Sequence, residues 1–251
     1  MDNKERFSNR VDTYVKYRPS YPKEAIDYLY DAAGFRPDAV VADVGAGTGI
    51  FSRLLLERGS RLIAVEPNDN MREAAESAFG SDSRFRGVRG SAEATGLADE
   101  SVDFIVCAQA FHWFDRSAAQ TEFRRILKPG GKAALLWNTR LTHGSQFLEE
   151  YEALLHKFGT DYGQVNHQNI SRETIRLFFQ AGSFQEAHFP NRQIFDFNGL
   201  KGRLQSSSYS PPEGDPNFEP MMAELRSIFD RNEKKGRVFF DYVCDVYWGK
   251  V

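Results

Sequence analysis

Long apolar runs are missing from this chain of 251 residues. No stretch approaches the ~18 consecutive apolar residues that would suggest a membrane-spanning helix. An excess of charge of one sign is missing too. The formal net charge is -3, which gives no basic footprint for nucleic acid. Cysteine is scarce: Cys107 and Cys244 are the only two, each inside an apolar strand-like run. They read as buried reduced thiols, and no Cys/His spacing resembles a zinc site, so no metal is expected. The N-terminal Met-Asp-Asn-Lys-Glu-Arg is charged and has no apolar centre, unlike a secretory signal. No internal repeat and no true linker stands out. These absences leave a cytoplasmic globular protein, without membrane or nucleic-acid partners, as the expectation.

Hydrophobic residues make up 41% and charged residues 27%, ordinary values for a folded domain. Phenylalanine is abundant, with 21 copies, many after residue 147. Those rings either enlarge the core or line an apolar cavity.

The chain falls into recognisable elements. Pro22 opens a helix with Ala25, Ile26, Leu29 and Ala33 on one face, closed by Gly34. Strands are expected at 39–44, 61–66, 84–89, 102–108 and 132–138, and helices at about 49–58, 69–79 and 116–127. Lys128-Pro-Gly-Gly131 is expected to end the last of these helices. Strands alternating with helices imply a parallel sheet covered on both faces. After Asn138 the rhythm changes. Helices are expected at 145–158, at 171–182 and around 220–229, strands at 184–197 and 238–247, and a loop with a short helix at 199–216. A single domain is expected, with residues 1–34 as lid and first helix and with 141–170 and 199–236 as excursions forming a cap.

The most informative segment is Val40-Val-Ala-Asp-Val-Gly-Ala-Gly-Thr-Gly49. A buried strand runs into Gly45, Gly47 and Gly49, and a helical pattern begins at once. Glycine there permits positive φ and lets a ligand approach the backbone. The second strand ends in Glu66, 17 residues past Gly49. A carboxylate at that place can accept hydrogen bonds from both hydroxyls of a ribose in a Rossmann-like crevice. Two enzyme classes use such a pair: dinucleotide-dependent dehydrogenases and methyltransferases using S-adenosylmethionine. The spacing is G-x-G-x-G rather than G-x-G-x-x-G, and Asp43 stands two residues ahead of the first glycine. An acid there suits the cofactor's ammonium, which favours the methyltransferase reading.

Further groups fall at the same sheet edge. Ser91-Ala-Glu93 follows the third strand, where Glu93 can accept from an adenine amino group. The fourth strand leads into Gln109-Ala-Phe-His-Trp-Phe114. His112 is a candidate general base, with an ordinary pKa near ~6.5, or a packing residue under the cofactor. Trp113 or a neighbour can face a sulfonium.

Val44-Gly-Ala-Gly-Thr-Gly49, Glu66, Gly90-Ser-Ala-Glu93, Ala110-Phe-His-Trp-Phe-Asp115 and Leu127-Lys-Pro-Gly-Gly131 together resemble class I S-adenosylmethionine-dependent methyltransferases, specifically the methyltransferase type 11 group. Tyr17-Arg-Pro-Ser-Tyr-Pro22 and Gly199-Leu-Lys-Gly-Arg-Leu-Gln-Ser-Ser-Ser-Tyr209 are similar to segments of the trans-aconitate methyltransferase-like members. The resemblance implies a Rossmann-like sheet of seven strands, the last antiparallel, with helices on both faces and a helical lid and cap. It implies S-adenosylmethionine as cofactor. Asp43, Gly45, Ala46, Gly47 and Gly49 would hold its methionine part. Glu66, with Pro67 and Asn68 beside it, would hold the ribose, and Ala92 and Glu93 the adenine. Gln109 and His112 would lie near the transferring methyl. Tyr17 and Arg18 would belong to a segment closing over the site, with Tyr17 and His112 as candidate catalytic residues.

The implied reaction is an in-line methyl transfer to a small-molecule acceptor, giving S-adenosylhomocysteine, by a monomer or weak homodimer. Arg18, Trp113, Asn138, Arg140, His143, Ser207 and Tyr209 are candidate acceptor contacts. Helices 145–158 and 220–229 and the Phe-rich strands are expected to wall a largely apolar acceptor pocket. Arg18, Arg140 and Arg203 would pair with an acceptor carboxylate, unless all three are solvated surface charges. An NAD-dependent oxidoreductase and a non-catalytic binder of S-adenosylmethionine remain as alternatives.

Overall fold

The computed structural model describes residues 16–160, 162 and 170–251. Phe7 and Tyr14, expected in the lid, and most of the excursion's 161–169 stretch lie outside the described residues. Seven strands form one sheet: β1 (Val40–Val44), β2 (Arg61–Val65), β3 (Phe85–Val88), β4 (Val102–Ala108), β5 (Leu127–Arg140), β6 (Gln185–Phe195) and β7 (Val238–Gly249). Their spatial order is β3-β2-β1-β4-β5-β7-β6. The first five pair in parallel, and β7 runs antiparallel to both β5 and β6. This is the expected Rossmann-like sheet. The strand order reverses between β1 and β4, and ligands of such sheets bind in the crevice outside that point.

The sheet forms because both of its faces are covered, so its central strands are apolar almost throughout. One face packs on α1 (Lys23–Tyr28), α2 (Ile50–Glu57) and α3 (Asp69–Phe79) through Ala25, Ile26, Phe51, Leu55, Leu56 and Ala75. The other packs on α4 (Arg116–Ile126) and α6 (Arg172–Phe178) through Ala119, Phe123, Ile126, Ile175 and Phe178. A third cluster joins α5 (Gln146–Phe158), α7 (Phe197–Gln205) and α8 (Phe218–Asn232) to the ends of β6 and β7. Its members include Phe147, Phe195, Phe218, Phe229 and Phe240, all buried. These five phenylalanines are therefore core, and each buried ring contributes roughly 1.5–3 kcal/mol.

Several boundaries differ from expectation for local reasons. Pro22 is the N-cap of α1, not its first residue, and α1 continues as a π-helical turn over Leu29–Ala33 that Gly34 closes at φ 88°. Lys128-Pro-Gly-Gly131 does not terminate α4. The helix stops at Ile126, and Leu127 already pairs with Val102 in β5, so the proline and glycines form an irregular start to that strand. The helix expected at 171–182 breaks at Phe179, whose extended backbone separates α6 from a short 3₁₀ turn at Gln180–Gly182. The helix expected around 220–229 runs over Phe218–Asn232. Tyr21, placed by its sequence in the lid, is buried and meets Phe51 edge-on at 4.9 Å.

Gly49 shows how tightly the first turn is specified. It caps α2 at φ 80°, and an added Cβ would lie 2.7 Å from the Phe79 ring. Strain and overpacking combine there, so Gly49→Ala should lower unfolding free energy by roughly 2–4 kcal/mol in urea titration. A loss below ~0.5 kcal/mol would contradict this account of the turn.

Candidate active site

The parallel strands end at a cavity of about 420 Å³. At its first end β1 delivers Asp43, fully buried and pointing towards α2, where Ser52 Oγ donates to Oδ2 at 2.6 Å. Oδ1 has no hydrogen-bond partner among the described residues. Burial pushes the Asp43 carboxyl up to about 7; the Ser52 hydrogen bond opposes the rise and the nearby charge of Glu66 adds to it. The chain then turns at Gly45, φ 73°, whose N–H donates to Val65 at 2.9 Å. A Cβ on Gly45 would lie 2.6 Å from that of Ala110, so only glycine lets the β1 and β4 connections come together.

Glu66 stands at the end of β2 and is buried. Gly47 N–H donates to Oε2 at 2.8 Å and Asn68 N–H to Oε1 at 2.9 Å. Each oxygen keeps a lone pair for a ligand hydroxyl. Burial raises the Glu66 carboxyl, and the two backbone donors counter it. Asn68 caps α3, its side chain accepting from Met71 N–H at 3.0 Å. Beyond β3, Ala92 and Glu93 line the cavity, and Asp115 N–H donates to Glu93 at 2.9 Å. After β4, Gln109 takes a left-handed backbone, φ 58°, and its Nε2 reaches the Asn138 carbonyl at 3.0 Å. His112 and Trp113 follow on a 3₁₀ turn, rings 4.6 Å apart, and both line the cavity.

Of the elements expected to wall the cavity, helices 145–158 and 220–229 contribute no lining residue and the Phe-rich strands contribute Tyr242. Arg18, Arg140, Tyr162, Arg203 and Tyr209 line that part of the cavity with it. Arg140 and Arg203 are buried, at 9% and 5% exposure, which overturns the surface-charge alternative for both. Arg140 pairs with Glu152 of α5 and donates to Tyr162 Oη at 2.9 Å. Arg203 donates to Tyr242 Oη at 3.3 Å and Ser207 Oγ at 2.9 Å. Among the described residues no carboxylate lies within ion-pair distance of Arg203. Helices α5 and α8 turn their apolar faces into the third core cluster, leaving this wall to arginine and tyrosine.

Residues 17–20 cross beside this end as a strap. Gln193 Nε2 donates to the Tyr17 carbonyl at 3.1 Å, Arg18 to the Ser206 carbonyl at 3.1 Å, and Asn138 and Asn191 to the Ser20 carbonyl at 3.2 and 2.7 Å. Tyr17 itself is absent from the cavity wall. Its ring lies over Gly202 of α7, where any Cβ would overlap it. Of the other candidates, Asp43, Gly45, Ala46, Gly47, Glu66, Pro67, Asn68, Arg18, Asn138 and Tyr209 line the cavity as well. Gly49, His143 and Ser207 are not in its wall. Asn138 spends its amide on Ser20 and Asn191, so it joins the strap to the sheet. Thr48, Ser91, Tyr162, Ser208 and Tyr242 line the cavity without having been singled out. Tyr162 and Tyr242 belong to no local pattern; only the tertiary fold brings them to the site.

A methyltransferase-domain profile matches residues 42–135. An uncharacterised methyltransferase of Schizosaccharomyces pombe is 35% identical over 248 residues, 96% of this chain and 95% of that protein. The chain belongs to the methyltransferase family. An uncharacterised methyltransferase of Mycobacterium tuberculosis is 43% identical over 134 residues, and the match spans about half of each protein, 53% of this chain and 52% of the other. The malonyl-[acyl-carrier protein] O-methyltransferase of Methylococcus capsulatus is 40% identical over 204 residues, 80% of this chain and 66% of that one. A solved structure from Anaeromyxobacter dehalogenans shares the fold with a TM-score of 0.65 at 22% identity, over 93% of this chain and 98% of that chain.

S-adenosylmethionine is the family's cofactor, and the residues present fit it. The unpartnered Oδ1 of Asp43 suits its ammonium, the free lone pairs of Glu66 its ribose diol, and Glu93 its adenine amino group.

Two outcomes follow from this geometry. A cation beside Asp43 favours its ionised form, so binding the cofactor's ammonium should release a proton below the free carboxyl's pKa of about 7. Affinity for S-adenosylhomocysteine should therefore rise up to about tenfold per pH unit as pH climbs towards 7, then level off. Asp43→Asn should abolish the slope in calorimetry, and a flat wild-type profile from pH 5.5 upwards would refute the coupling. Separately, Gly202→Ala should expel the Tyr17 ring. Proteolysis at residues 16–20 should accelerate while the urea midpoint hardly moves; unchanged cleavage would contradict the packing.

Proposed function

We propose that this chain transfers the methyl group of S-adenosylmethionine to a carboxylate oxygen of a small acid, forming a methyl ester. The observation that carries the reading is Arg203: a buried guanidinium with only neutral partners among the described residues, in the wall of the cavity that holds Asp43 and Glu66. A buried charge without a counter-ion is costly, and a bound carboxylate would supply one through charge-assisted hydrogen bonds. Arg18 and Arg140 share that wall. The Methylococcus relative, whose name describes O-methylation of malonyl-[acyl-carrier protein], supports methylation at oxygen. So does the likeness of residues 17–22 and 199–209 to trans-aconitate methyltransferase-like members.

When bound, S-adenosylmethionine supplies a methyl carbon activated by a positive sulfur. The chain's own contribution is placement. Asp43 and Glu66 fix one reactant, and the arginines fix the other at the far end of the same cavity. The strap, tied to Ser206, Gln193, Asn138 and Asn191, limits the entry of water. A carboxylate, with an ordinary pKa near ~4, is already ionised at neutral pH and needs no base. His112 is then a packing residue beside Trp113 rather than a proton acceptor. Membership of the methyltransferase family removes the oxidoreductase alternative.

A screen with methyl-labelled donor against small carboxylic acids, phenols and amines tests the reading. The expected product is a base-labile ester; label confined to an amine or phenol would contradict it, and label on no acceptor would favour a non-catalytic binder. With the acid found, Arg203→Gln should lower kcat/KM roughly 10–200-fold, the equivalent of ~1.5–3 kcal/mol for lost charge-assisted bonds. His112→Asn should keep kcat within about threefold, against the ~10²–10⁴-fold loss expected for a general base.

A further inference from the structure

Residues 89–101 connect β3 to β4 and carry Ala92 and Glu93 into the cavity wall. Within them, residues 90–95 close on themselves. Ser91 N–H donates to the Ala94 carbonyl at 3.0 Å, and Ala94 N–H to the Ser91 carbonyl at 3.2 Å. A Cβ on Gly90 would lie 2.6 Å from the Thr95 carbonyl oxygen, so the two ends of the turn touch. The turn is stiff, and its orientation is set by what grips it from outside.

Both side-chain grips come from α4 and its N-cap, Asp115. At the tip, Asp115 N–H donates to Glu93 Oε1 at 2.9 Å, and Glu93 Oε2 has no partner among the described residues. At the base, Glu122 Oε1 accepts from Thr95 N–H at 2.8 Å and from Thr95 Oγ1 at 2.5 Å. Thr95 and Glu122 are both buried. A two-pronged contact from Arg125 fixes the Glu122 carboxylate, Nη2 to Oε1 at 2.7 Å and Nε to Oε2 at 2.8 Å. Arg125 Nη1 continues to Asp99, further along the same connection, at 2.5 Å. Hydrogen bonds from Arg125, and then from Thr95, hold the Glu122 carboxyl down at about 2 against the opposing effect of burial. None of Thr95, Asp99, Glu122 and Arg125 lies in the cavity wall, so they act on a ligand only through the turn they hold.

We propose that Glu122 is a positioning residue for the donor's base: by gripping Thr95 it aims the Glu93 carboxylate at the adenine amino group and so sets the site's preference for adenine. The inference rests on Glu93 as the partner of that amino group. Glu93 stands two residues from Thr95. Freeing the base of the turn therefore lets its tip swing, while Asp115 still holds one Glu93 oxygen. Hydrogen bonds weaken steeply with misalignment, so a small rotation is enough to lose the contact. Asp43 and Glu66 stand on other strands and keep their places.

Calorimetry on the full chain with S-adenosylhomocysteine and its 6-deamino analogue, purine in place of adenine, reads this preference directly. Wild type should favour the adenine ligand roughly tenfold or more, the worth of one charge-assisted hydrogen bond, and Glu122→Ala should bring the ratio within about threefold of unity. Affinity for the deamino analogue should hardly change in the variant. Thr95→Val removes the hydroxyl but keeps the side-chain shape and the backbone N–H bond. It should lower the ratio by a smaller factor, and it decides alone if Glu122→Ala does not fold. Equal weakening of both ligands would mark Glu122 as a purely structural support and overturn the proposal, as would a wild-type ratio retained in the variants. A wild type that binds the two ligands alike would instead remove Glu93 as the adenine partner, and the inference with it.

Discussion

Asp43 is a carboxylate buried at the end of β1 with a hydroxyl for a partner and, among the described residues, no cation, and the rest of the site is arranged around that condition. Burial raises the free energy of its charged form, so the carboxyl holds its proton until pH reaches about 7. The fold contributes to that state from several directions. The parallel sheet aims β1 and β2 at one edge, which places Glu66 close enough to repel Asp43. Gly45 draws the β4 connection against the turn. A ligand ammonium relieves the condition, whereas a neutral group does not.

The cavity as a whole separates charge. Carboxylates stand where β1, β2 and β3 end, and guanidiniums stand where β5, α7 and the strap meet. Under the proposed function the two ends receive two different reactants, one cationic and one anionic, and oppose either of them binding in reverse. Keeping opposite charges apart in a small buried space requires rigid support. Glu66 has it from two backbone N–H groups, Arg140 from Glu152 and Tyr162, and Arg203 from Tyr242 and Ser207. The strap completes the enclosure through the carbonyls of Tyr17 and Ser20 and through the Arg18 side chain, with the Tyr17 ring packed over Gly202.

The cofactor end was legible in the sequence because its residues are local. Asp43, the glycines and Glu66 lie at the ends of strands whose apolar runs announce them, and the sheet edge follows from alternation alone. The arginine-lined end was not, since it is assembled from β5, α7, β7 and residues near α5, far apart in the chain. Phenylalanine abundance suggested an apolar pocket, but those rings pack against one another in the third core cluster. Arg140 and Arg203 carry no pattern that distinguishes a buried arginine from a solvated one. Tyr17 misled for a related reason: its motif was recognisable, while the Gly202 that receives its ring lies on α7. Lys128-Pro-Gly-Gly131 read as a helix stop, yet pairing of Leu127 with Val102 extends β5 through it.

The central claim is that one cavity holds a cationic donor at its carboxylate end and a carboxylate acceptor at its arginine end. A crystal structure of the chain with S-adenosylhomocysteine and a small dicarboxylate tests it most directly. The account predicts the ribose hydroxyls on Glu66, one carboxylate of the acid on Arg203, and a carboxylate oxygen of the acid directed at the sulfur. An acid bound outside the cavity, or an arginine-lined end that stays closed to it while the donor site is filled, would contradict the account.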